Sequence, residues 1–174
     1  MHLLSYLGKR PVVAKSAFIA RTATLIGDVE VGDEASIWYG AVLRGDVMPI
    51  RIGPRTSIQD NAVIHATEGW QATIVGADCT VGHGAILHGC AIGDRVLVGM
   101  GSIILDAAEI GEDVLIGAGS LITARTKIPP RVLVHGRPAR VIRDLTETEL
   151  QQLKESAELY RRYAREHLHA VEEP

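Results

Sequence analysis

The chain's residue pattern predicts a mainly β fold, a parallel β-helix with one α-helix packed along it, and three observations carry that reading. An apolar residue, often followed by glycine, returns every six positions over most of the 174 residues. The composition is 47% hydrophobic but only 4% aromatic. Glycine is frequent, at 18 residues. A six-residue beat fits neither a helix (3.6) nor an alternating strand (2). It fits a short strand plus a tight turn, stacked coil upon coil. Such a coil has a narrow interior, filled by Val, Ile, Leu and Ala without aromatic bulk.

Taken in order, the beat starts at Val13, Ile19 and Leu25 and continues through Val31, Ile37 and Leu43. It resumes at Ile52, Ile58 and Ile64, and again at Val75, Val81 and Leu87. From Ile92 it runs unbroken to Ile128. Three sides of six residues make one coil, so the longer steps predict corner loops around Val47–Ile50 and within Ala66–Thr73. The five-residue step from Leu87 to Ile92 has no explanation at this level. The pattern is expected to end at Pro129-Pro130, with residues 134–140 leading the chain out of the coil and His135 taking no chemical part. Thr146-Glu147-Thr148-Glu149 reads as a capping box, with Leu145 and Leu150 as a hydrophobic staple. The helix so begun presents Leu150, Leu153, Ala157, Tyr160, Ala164 and Leu168 on one face. His167, His169 and the tail Val171–Pro174 read as solvated or frayed. The expected organisation is one domain over 1–174, with the β-helix at 11–140 and the helix at 145–169.

Three histidines carry the functional signal: His65, His83 and His88, the later two flanked by Gly82, Gly84 and Gly89. Three imidazoles with one open position make a catalytic zinc site. Leu43, Ile64 and Leu87 fall on one side of successive coils, so Arg44, His65 and His88, each one residue later, stack in a column about 4.8 Å apart per coil. Ile58 and Val81 stack on the preceding side, placing Asp60 and His83 in a second column. Columns on different sides of a prism meet when subunits pack around a threefold axis, so that His65 and His88 of one chain join His83 of the next. Arg44 then faces Asp60 across the same interface. Arg44, Asp46 and Asp60 read equally well as a structural ion-pair cluster or as catalytic groups.

The combination Arg44-Gly45-Asp46, Gln59-Asp60-Asn61, Ile64-His65, Gly82-His83-Gly84 and Leu87-His88-Gly89-Cys90 resembles the γ-class carbonic anhydrases, left-handed β-helix proteins built from hexapeptide repeats. The resemblance implies homotrimers with metals between subunits and reversible hydration of carbon dioxide to bicarbonate. The expected metal is zinc, with Fe2+ or Co2+ also suited to imidazole. Zinc lowers the pKa of bound water from 15.7 to about 7. Gln59, a neutral amide, is placed to orient hydroxide or bicarbonate without opposing the metal's charge. The resemblance also makes Tyr160 a candidate to reach the metal pocket, although packing is its simplest role. One archaeal relative carries a glutamate after its Arg-Gly-Asp and a long acidic loop. This chain has Val47 and a short loop instead, in which Glu68 is the one nearby acid and reads equally well as a proton carrier or a solvated loop residue.

Charge and composition bound the alternatives. A formal net charge of −3 gives no electrostatic reason to expect nucleic acid or an anionic membrane as partner. No stretch approaches a transmembrane helix, and Met1–Pro11 lacks the apolar core of a signal peptide. Cys79 and Cys90 form no CxxC pair and read as small buried residues of a cytoplasmic protein. Competing functions are a hexapeptide acyltransferase using a single histidine as base, a metal-dependent thioesterase, and a metal-stabilised scaffold without activity. Metal content separates the acyltransferase from the others.

Overall fold

The computed structural model describes residues 1–170, so the expectation for Val171–Pro174 lies outside the described residues. Short parallel strands wind into a coil whose inward apolar residues stack in three ladders of seven rungs each. The first ladder is Leu3, Leu25, Leu43, Ile64, Leu87, Ile104 and Ile122. The second is Ile19, Ile37, Ile58, Val81, Val98, Ile116 and Val134. The third is Val13, Val31, Ile52, Val75, Ile92, Ile110 and Ile128. Nearly every rung from the second coil onward is buried, so the six-residue beat is the spacing of core residues. Each short strand gains its backbone hydrogen bonds from the coils above and below, as Gly82 does in donating to Val98.

The departures from an even beat have separate physical causes. Val47–Ile50 is no loop. Val42–Ile52 is one continuous strand paired with Thr24–Val31, and the register shift between Gly27 and Val29 absorbs the extra residues. Gly27 and Gly45 permit this, because a Cβ on either would strike the other coil's backbone. The five-residue step after Leu87 is a corner one residue short. Gly89, at φ +55°, turns alone where Asp106 and Ala107 turn the next coil. Nor does the coil end at Pro129-Pro130. Val132–Gly136 adds a further rung through Val134, and Ala139–Asp144 then folds back antiparallel on it. Pro129 and Pro130 sit in a corner, where no ladder hydrogen bond is asked of them.

One corner carries a charge pattern that the apolar beat does not display. Glu34, Arg55, Asp78, Arg95, Asp113 and Arg131 occupy corresponding left-handed corner positions and alternate in sign from coil to coil. Arg55 grips Asp78 through two bonds of 2.6 and 2.7 Å, and Arg95 grips Asp113 at 2.7 and 3.0 Å. The helix α1, Glu147–His167, closes both ends of this column: Arg131 meets Glu147, and Glu34 meets Arg161 and Arg165. Both bonds of the capping box at Thr146 and Glu149 form, and Leu145, Leu150 and Leu153 share a satellite cluster against the coil. Two expectations for this helix fail. Leu168 caps it and is 66% exposed, so the buried stripe ends at Ala164. His167 is half-buried, edge-on to Trp38 with ring centroids 5.0 Å apart, and its Nδ1 lies 3.1 Å from the Tyr39 hydroxyl. Five of the chain's seven aromatics collect here, Phe18, Trp38, Tyr39, Tyr160 and Tyr163, where they fill the angle between coil and helix.

Candidate metal centre

His65 and His88 end the strands Val63–His65 and Ile86–His88, which pair in register so that one imidazole stands over the other, edge to face. Their ring centroids are 5.2 Å apart, and His65 Nδ1 lies 3.3 Å from His88 Nε2. Each ring is tied from behind. His65 Nε2 donates to Asp46 Oδ1 at 2.9 Å, and His88 Nδ1 donates to Asp106 Oδ2 at 2.9 Å. Asp46 is held in turn by an ion pair with Arg44 and by the Val47 amide. Burial pushes the Asp46 carboxyl up, but the bonds from Arg44 and His65 outweigh it and keep it below 3.8. At Asp106 the same balance holds, with His88 and Thr67 overcoming burial. Both carboxylates are therefore ionised acceptors at neutral pH.

This arrangement has a consequence for the inner nitrogens. With the outer nitrogens of two neutral rings donating to carboxylates, His65 Nδ1 and His88 Nε2 both present lone pairs to one another. Two such pairs at 3.3 Å repel unless a proton or cation lies between them. Two nitrogens bound tetrahedrally to zinc at 2.0–2.1 Å stand about 3.3 Å apart, so the donor pair fits that ion. Carboxylates behind ligating histidines are also the usual outer shell of a metal site.

The other predicted residues divide between a second face and the surface. His83 follows the strand Thr80–Val81 in the other sheet, and its Nδ1 meets Asp60 Oδ2 at 2.9 Å. It too is carboxylate-backed, and its side chain is 46% exposed. Gln59 is buried beside it and accepts the His83 amide at 3.2 Å. Gln59, His83 and Tyr160 line one cavity of about 490 Å³ between coil and α1. Burial raises the Tyr160 phenol, with the charge of Asp60 next, while a hydrogen bond with Gln59 works the other way. Glu68 lies exposed in the turn of the loop after His65. Arg44 pairs with Asp46, and Asp60 with His83, within the chain. Among the described residues of one chain, no three His, Cys, Asp or Glu side chains gather to hold a metal. A His65–His88 pair and a separate His83 are what this chain offers.

Sequence reasoning missed Asp106. Its signal was present, because Ile104 continues the ladder of Ile64 and Leu87, and Asp106 stands two residues past it. In the second column, Asp60 and His83 stand at that same offset from Ile58 and Val81.

A stacked six-residue coil bearing outward histidines defines a hexapeptide-repeat β-helix protein, and residues 89–124 match the bacterial transferase hexapeptide family of six repeats. That match begins one residue after His88, so it describes the coil and leaves the histidines out. A carbonic anhydrase of Geobacillus kaustophilus is 49% identical over 149 residues, covering 86% of this chain and 81% of that protein. The mitochondrial gamma carbonic anhydrase 1 of Arabidopsis thaliana is 40% identical over 95% of this chain, which spans 62% of the plant protein's length. A solved hexapeptide transferase family protein from Anaplasma phagocytophilum superposes with a TM-score of 0.91 at 45% identity, covering 95% of this chain and 97% of that one. The chain belongs to the γ-class carbonic anhydrase family. No described helix is long and apolar enough to cross a membrane.

Proposed function

We propose that this chain is a metal-dependent carbonic anhydrase, hydrating carbon dioxide reversibly to bicarbonate at sites shared between the subunits of a cytoplasmic homotrimer. The observation that carries the reading is the pair of inward nitrogens 3.3 Å apart, each on a ring anchored by its own carboxylate. In this reading His65 and His88 of one subunit and His83 of the next hold the metal. Zinc is the first choice, and iron or cobalt remain compatible with imidazole. When bound, zinc supplies a Lewis acid that makes water acidic near neutral pH. The half-exposed apolar residues Val63 and Ile86, on strands that end in His65 and His88, support a neighbouring subunit on this face.

The chain's own groups do the rest. Asp46 and Asp60 fix the rings of His65 and His83, and Arg44 holds Asp46 in place while remaining available to Asp60 of a neighbouring subunit. Gln59 offers a neutral amide to substrate oxygens, steadied by the His83 backbone and by Tyr160. Glu68, exposed in its loop, exchanges protons with buffer at the site's mouth. The transferase name of the structural relative keeps acyl transfer as the competing chemistry.

Elemental analysis of protein purified without chelator, alongside assays of carbon dioxide hydration and acyl-CoA turnover, tests the proposal. The expected result is about one transition metal per subunit and hydration activity without acyl transfer. His88→Ala should lose the metal yet keep its circular dichroism, since its ring points outward from the coil. Wild-type protein free of any transition metal would sink the lyase and thioesterase readings together.

A further inference from the structure

Asp106 is assigned no role by the family resemblance or by the column argument, yet it sits at a junction. One carboxylate oxygen accepts from His88 Nδ1 at 2.9 Å, and the other accepts the backbone amide of Thr67 at 3.3 Å. Thr67 belongs to the loop that follows His65, so Asp106 joins the second histidine to the loop leaving the first. The loop is fastened to the same spot twice more. Gln71 Nε2 donates to the Gly89 carbonyl at 3.1 Å, and Thr73 Oγ1 donates to the His65 carbonyl at 2.6 Å while accepting the Gly89 amide at 2.9 Å. The shortened corner makes the junction possible. A Cβ at position 89 would collide with the Asp106 carboxylate, so Gly89 is the opening through which that carboxylate reaches the imidazole one coil below.

We infer that Asp106 is the positioning residue that holds the proton of His88 on Nδ1, leaving Nε2 as the free donor beside His65, and that it ties the loop of residues 66–72 to that ring. The inference rests on the proposed metal centre for the use of Nε2, but the placement of the proton belongs to the metal-free chain. A carboxylate is required because two donors, an imidazole N–H and a backbone N–H, approach its two oxygens. An amide has one acceptor oxygen and can serve only one of them. Asp106→Asn therefore leaves either His88 or Thr67 facing an NH2 group. Asp106→Ala leaves both without an acceptor.

The test uses 15N-histidine-labelled, metal-free full-length protein at a pH about two units above the ordinary histidine value of about 6.5. Wild-type His88 should show a pyrrole-type Nδ1 and a pyridine-type Nε2. Asp106→Ala should move His88 towards the opposite tautomer, and its zinc Kd should rise about 10- to 100-fold, the usual cost of losing such a partner. Asp106→Asn, which preserves side-chain volume, should show either the altered His88 nitrogens or faster exchange of the Thr67 amide. His88 nitrogen shifts unchanged in Asp106→Ala would overturn the inference, as would an unchanged zinc Kd. Asp106→Asn with both the His88 tautomer and the Thr67 amide as in wild type would also overturn it. Wild-type protein that binds no zinc defeats the metal-centre reading instead, and the nitrogen shifts still decide what Asp106 does to the ring.

Discussion

At the scale of single residues, the chain separates reactive from inert groups by where the coil puts them. His65, His83 and His88 stand one or two residues past an inward rung and point outward, where each finds a carboxylate. The two cysteines face inward. Cys79 and Cys90 are fully buried, and burial pushes both thiols up to about 12. Neither thiolate forms to any useful extent at neutral pH, so neither is a nucleophile or a metal ligand in the folded protein. Iodoacetamide at pH 8 should accordingly leave the native protein unmodified and add two groups after denaturation, read by intact mass. Fast modification of either cysteine in the native state would show that the coil opens at that rung.

At the scale of elements, α1 is held by an apolar stripe and by the ends of the charged corner column. Glu34 takes bonds of 2.8–2.9 Å from Arg161 and Arg165, and these, Arg161 first, hold its carboxyl below the ordinary 4.5. A carboxylate depressed by folding stabilises the fold above its unfolded value, and the contribution fades as pH falls through the folded value. Wild type should therefore melt above Glu34→Gln at neutral pH, and the gap should narrow below about pH 4.5. A gap that stays constant down to about pH 3 would place the effect in packing rather than in charge. Thr146→Ala removes the capping bond to the Glu149 amide and should cost about 1 kcal/mol by denaturant unfolding. The hexad beat made the core rungs and the helix start legible beforehand, because burial and capping leave periodic or short-range marks. Corners leave none. The continuous strand 42–52, the single-residue turn at Gly89 and the reach of Asp106 to His88 depend on backbone approaches between coils about 18 residues apart. His167 read as frayed because nothing local marks the aromatic pocket that Phe18, Trp38 and Tyr39 build for it from the far end of the chain.

At the scale of the whole molecule, one subunit offers two incomplete halves of a site on two different sheets. In the proposed homotrimer a threefold arrangement would turn those halves into three sites, each taking His65 and His88 from one chain and His83 from the next. Trimers of His65→Ala alone, or of His83→Ala alone, lack a ligand at every interface and should bind no metal tightly. Co-expression of the two variants changes the count. An interface is intact wherever a His83→Ala chain, with its His65–His88 pair whole, faces the His83 of a His65→Ala chain. Random assembly makes about three quarters of trimers mixed, each with about one intact interface in three, so roughly a quarter of wild-type metal and activity should return. Co-expressing His65→Ala with His88→Ala damages the same half twice and should recover nothing. Sedimentation and intact-mass analysis of the mixed species establish that the subunits have exchanged. Given that exchange, recovery in the second pairing, or none in the first, would mean the histidines are divided between subunits in some other way.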